Sequence, residues 1–161
     1  MKPILSLVLL TCLFSSCAKD AVEVAQEAGV LPSTCGTDGA RLQANTGDGE
    51  FCASAQVMAV GDGTSVMISG FDLGGSSIVL QVDTLGAGVH PITEAENALL
   101  YMQMGATFAT GQNSAGELTI VLHDEAGRRL KGGFEADLIN AQNGQVRTVS
   151  GTFDVTYSIE G

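Results

Sequence analysis

Tryptophan is absent, and aromatic residues make up only 5% of the 161-residue chain. Without indole platforms, the paired acids Glu94 and Glu96 have no sugar-stacking surface beside them, and glycosidase chemistry finds little support. Basic residues are scarce too. Seven Lys and Arg stand against 18 Asp and Glu, for a net charge of −11. Such a surface repels phosphate backbones, so nucleic acid is excluded as a partner. There are two histidines, His90 and His123, and neither stands at ligand spacing to a cysteine. No Gly-x-Ser-x-Gly occurs, and no glycine-rich stretch carries a P-loop lysine. No segment shows a long helical moment, and no strand–helix–strand spacing points to a parallel nucleotide-binding sheet.

What is present begins with the first residues. "MKPILSLVLLTCLFSSC" has a basic Lys2, an apolar stretch from Ile4 to Phe14, then small residues. That is the layout of an export signal, and the stretch is too short to span a bilayer. Phe14-Ser15-Ser16-Cys17 resembles a bacterial lipobox, with Phe14 where leucine is usual. The resemblance implies cleavage before Cys17 and acylation of its thiol. The acyl chains would anchor the protein, each buried CH2 contributing ~0.8 kcal/mol. The Lys-acid pair in "AKDAVE", just after the cysteine, resembles a surface-export signal of Bacteroidota-type lipoproteins. The expected location is therefore the outer membrane, facing either the periplasm or the cell surface.

Cys35 and Cys52 remain, and in an oxidising compartment two cysteines predict one disulfide. Glycine is abundant, at 21 residues, and punctuates segments of period two. Phe51, Ala53, Ala55, Val57 and Ala59 share a face, as do Ile78, Leu80 and Val82. Leu100, Met102 and Met104 align in the next segment, and Leu118, Ile120 and Leu122 are expected inward, with Thr119, Val121 and His123 outward. "GDG" at 61–63 and Asn143-Gly144 are hairpin signals. Thr93 and Glu96 stand at capping-box spacing and predict one helical turn. "LGAGVHPI" is expected to be a short crossing segment. Asn45, Asp48, Glu50 and Asp62 offer oxygen ligands to a hard cation, but the calcium-loop pattern is not met and they are read as turns.

"LKGGFEAD" (130–137) and "VSGTFDVT" (149–156) match position by position. Alternation around them predicts two strands of one hairpin. Phe134, Ala136 and Leu138 on one strand, and Phe153, Val155, Tyr157 and Ile159 on the other, should face inward. Glu135, Asp137 and Asp154 should face outward. The glycines before each phenylalanine serve a bulge or bend, or leave room for a ring across the sheet. Together with "SAGELTIVLHD" (114–124), these Gly-Phe strands resemble a broad group of small Bacteroidota-type envelope lipoproteins of unknown function. That resemblance implies an all-β envelope domain and carries no catalytic residue.

The expected fold is all-β, an antiparallel β-sandwich or small barrel of about eight short strands. Residues 1–16 are read as signal peptide, 17–50 as lipid-anchored tether and turn-rich segment, and 51–161 as the β-sandwich domain. The expected function is a non-enzymatic binding, adhesion or assembly module of the cell envelope, without cofactor, metal or catalytic residue. Its partners are the membrane through Cys17 and an envelope protein or glycan. A lipocalin-like carrier of a small apolar ligand, and an accessory subunit or inhibitor, are the alternatives.

Overall fold

The computed structural model describes residues 35–37, 40–53, 55–112 and 114–159. The signal segment, Cys17 and most of the tether lie outside the described residues. The described chain is all β. Its strands are β1 (Gly36–Thr37), β2 (Ala40–Asn45), β3 (Glu50–Cys52), β4 (Gln56–Gly61), β5 (Val66–Phe71), β6 (Ser77–Val82), β7 (Gly88–Pro91), β8 (Leu99–Gln103), β9 (Ala106–Ala109), β10 (Gly116–Asp124), β11 (Arg129–Ile139), β12 (Val146–Thr156) and β13 (Ser158–Ile159).

Ten of these form a curled open sheet, a half-barrel, in the order β1-β2-β12-β11-β9-β8-β6-β5-β4-β13. β11 changes partner along its length. Its first part pairs with β10, and only Ile139 reaches Ala109 of β9. β10 continues to β7, and β3 pairs with the edge of β2. The last short strand leaves β12 and lies parallel to β4, with Ser158 opposite Val60.

Turn chemistry sets the hairpins. Asp62 Oδ1 accepts from the amides of Thr64 and Ser65 (2.8 and 2.7 Å), while Gly63 takes φ +94°. Asp72 caps Ser76 in the same manner between β5 and β6. Asn143 Oδ1 accepts from Gln145, and Gly144 takes φ +72°, closing the β11–β12 hairpin. That hairpin pairs without interruption from Arg129↔Thr156 to Ile139↔Val146. Thr93 does bind the amide of Glu96 at 3.1 Å, but no helix follows. Asn97, at φ +55°, ends the turn, and the Glu96 carboxylate accepts instead from Thr84. "LGAGVHPI" supplies β7 rather than a crossing segment.

Inward side chains merge into one apolar cluster that includes Leu42, Ile68, Leu80, Tyr101, Phe108, Leu118, Phe134 and Phe153. Both phenylalanines are buried as expected, at 4% and 2% exposure. Their glycines pair reciprocally: Gly132 lies opposite Phe153, and Gly151 opposite Phe134. A Cβ on Gly132 would come within 2.8 Å of the Phe153 ring, and one on Gly151 within 2.7 Å of Phe134. Each glycine makes room for the ring across the ladder.

Several inward assignments shift. Ala55 is exposed because the run from Phe51 breaks between β3 and β4. In β8 the buried pair is Leu99 and Tyr101, not Leu100, Met102 and Met104. That run is apolar on both faces, so period two alone cannot choose the side. In β10 a register shift between Ile120 and Leu122 turns Leu122 to solvent. The bulge swings His123 toward Tyr157. Ile159 is also exposed, since β13 lies beyond the bend after Tyr157. Asp154 is expected outward but is buried, because two arginines cover it.

Candidate functional site

With the inner faces occupied by core side chains, the described fold leaves its two outer faces as the candidate surfaces. The first belongs to β10, β11, β12, β2 and β3. Register places Glu117, Glu135, Ser150, Asn45 and Glu50 in one row across it. Thr119, Gly133, Thr152, Gln43 and Cys52 form the next. The small residues at the centre leave two open grooves. One, of about 560 Å3, runs along Glu117, Glu135, Asp137 and Thr148. The other, of about 300 Å3, lies beside Gln43, Glu50, Ser150 and the Cys35–Cys52 pair. Glu117 stands directly opposite Glu135, a like-charge pairing that disfavours the ladder. Asp137 is held by the Thr148 hydroxyl at 2.6 Å.

At one end of this face, the Arg129 guanidinium grips Asp154 with two bonds of 2.8 and 2.7 Å. Arg41 lies 3.7 Å away, and Lys131 is opposite Asp154 in register. Hydrogen bonding from Arg129 holds the Asp154 carboxyl below the usual range, against the opposing pull of burial. On the opposite, inward side of β12, Arg147 pairs with Asp48 and donates to Gln103 Oε1 at 2.9 Å. Its guanidinium lies 4.4 Å from the centre of the Phe108 ring and 5.6 Å from that of Tyr101. It clamps β12 onto β8 and β9. Nothing in the sequence announces either arginine's role, since each partner arrives from a distant strand.

Cys35 and Cys52 stand with Cα atoms 4.8 Å apart, within disulfide reach. The bridge staples β1 to β3, the two short strands that share the outer edge of β2. Among the possible cation ligands, Asn45 Oδ1 accepts from Gly47, Asp48 meets Arg147, and Asp62 serves its own turn. Backbone bonds from Thr64 and Ser65 lower the Asp62 pKa to about 2. Among the described residues, no three His, Cys, Asp or Glu side chains gather as a metal set. His123 Nε2 lies 2.9 Å from the Tyr157 hydroxyl, and His90 Nε2 lies 2.7 Å from the Gly86 carbonyl. A phenol and a backbone carbonyl, rather than an acid or a serine, thus partner the two rings.

The second outer face belongs to β4, β5, β6, β8 and β9. Its rows are Met58–Ser69–Val79–Leu100–Ala109, Gln56–Phe71–Ser77–Met102–Thr107 and Val60–Met67–Gln81. None of these five strands contains Asp, Glu, Lys or Arg. Their outward apolar residues escape a reading by alternation, because "QVMAVG" and "SIVLQV" are apolar on both sides. The signal that could have found this face is the absence of charge itself. No protein family, curated protein or solved structure matches the chain.

Proposed function

We propose that this protein is a non-enzymatic binding module of the cell envelope, held by acyl chains on Cys17 and engaging partners through its outer sheet faces. The observation that carries this reading is the filling of the inward positions. Leu42, Tyr101, Phe108 and Phe153 are at most 2% exposed and occupy the space between the curled strands with the protein's own side chains. A lipocalin-like carrier needs that space for its ligand. In this reading the half-barrel works as a sandwich, with its two sheet halves closed on one core.

The Cys35–Cys52 pair supports export, since such bridges persist in oxidising compartments. The acidic surface suits a soluble domain displayed on a tether. The likeness to Bacteroidota-type envelope lipoproteins supports the same placement. Growth with labelled palmitate tests the anchor. Wild type should take up label and Cys17→Ser should not; equal absence of label would sink the lipoprotein reading. Cross-linking in intact cells tests the binding role. An envelope protein or glycan should be captured from residues of the outer faces, and capture of a small apolar molecule from within the core would instead establish a carrier.

A further inference from the structure

The charge-free outer face is the largest feature of the fold that the core and the turns leave unexplained. Met58 is 43% exposed, Met67 47% and Phe71 38%, and Leu73, in the turn beside them, reaches 84%. Five strands at ~4.8 Å spacing and ~3.3 Å rise per residue span a face of about 24 by 18 Å. Ser69 and Ser77 within it are buried and Val60, Val79, Leu100 and Met102 half-buried, so its exposed apolar part is Met58, Met67, Phe71 and Leu73, on β4, β5 and the turn after β5. Exposed apolar clusters commonly have a function. Methionine and phenylalanine are also enriched where proteins meet.

We propose that this face is a self-association surface on which a second copy of the chain packs sheet on sheet. The proposal deepens the reading above, because it rests on binding through an outer face and names one partner. Charge decides the occupant. The chain carries −11, so two copies repel over most of their surface. Here they can meet without bringing carboxylates together. The acids in the turns that flank these strands, Asp62, Asp72 and Asp83, accept from the amides of Ser65, Ser76 and Asn97. A basic partner would find no acid on the face to pair with. An anionic bilayer would find no Lys or Arg. A second copy presents the same uncharged rows with the same twist, at the ~10 Å separation of stacked sheets. The pair would cover at most roughly 900 Å2 in total, the size of a weak, reversible dimer rather than an obligate one. Flexible Met58, Met67 and Met102 side chains can adjust to their own images across a two-fold axis.

The test is a photo-cross-linker, benzoylphenylalanine, placed at position 67 of the full chain in intact cells, with the same group at position 135 as control. Position 67 should yield a product of twice the chain mass, mapping to residues 56–71 of the second copy, and position 135 should not. An adduct with lipid, an adduct with another protein, or no product at position 67 would overturn the proposal. As a second measurement, sedimentation equilibrium of Met58→Gln/Met67→Gln should show the dissociation constant raised ~10-fold or more. Its urea midpoint should stay near wild type, and an unchanged dissociation constant would count against the surface. Palmitate labelling of the same cells separates the two readings. Dimer without label removes the anchor and keeps this surface, and label without dimer does the reverse.

Discussion

Asp154 shows how much one residue can hide. Its place in the alternation is outward, as expected, but Arg129 and Arg41 fold over it and take it from water. Only the assembled sheet brings β2, β11 and β12 side by side, so no local pattern could show this cover. The sign of its effect on stability follows from the lowered pKa. A carboxylate held below the usual carboxylate range adds stability that is fully present above about pH 4. That stability is lost as pH falls through the depressed pKa. Asp154→Asn should therefore cost ~1–3 kcal/mol at pH 7, discounted for the half-exposed arginines. Urea unfolding at several pH values should show a flatter acid limb in the variant below about pH 4. The paired glycines make a second case. Gly151→Ala would drive a methyl into the Phe134 ring and to within 2.8 Å of the Ala44 Cβ. Overpacking of this kind should cost ~2 kcal/mol or more by urea midpoint, and Gly132→Ala should behave alike. Here the sequence was informative: the Gly-Phe spacing offered room for a ring as one reading, and the ladder register shows that reading at work.

Whole strands were legible where one face is polar. In β11 and β12, Glu135, Asp137 and Thr152 mark the wet side, and Phe134 and Phe153 the dry one. Legibility failed in β8, whose neighbours on both faces are apolar, and past the bulge in β10, where one extra residue reverses the sides. This gives a contrast within one strand. Ile120→Ser should lose ~3 kcal/mol or more, since Ile120 is 2% exposed. Leu122→Ser should stay within ~0.5 kcal/mol, since Leu122 is 42% exposed. Unfolding of the two variants side by side checks the position of the bulge. The disulfide acts at the same scale. It spans a sequence separation of 17 and fixes the two short strands at the edge of β2. Cys35→Ser/Cys52→Ser should lower stability by ~3 kcal/mol on the chain-entropy model, read from the shift in urea midpoint.

Across the whole molecule, charge is sorted by sheet half. The strands from β4 to β6, with β8 and β9, hold none, while β10 to β12 carry acids and bases along their length. The all-β class was legible from turn spacing and the lack of helical periodicity. The curl of the sheet was not, because it depends on β11 dividing its edge between β10 and β9 and on β13 joining β4. The proposed function was least legible, since the faces assigned to it are ones that alternation treats as mere exterior.

The joining of distant strands has a consequence in time. β2 has no long partner until β12 exists, and Asp48 must wait for Arg147, 99 positions later. β4 receives its outer neighbour only when β13 has been made. A chain so ordered cannot close its sheet while its later half is still being synthesised, and such long-range pairing is slow once it begins. In the exported protein proposed above, a machine that threads unfolded chains would thus meet an open substrate without needing to hold it open. Locking would come after passage, in the compartment where Cys35 can oxidise with Cys52.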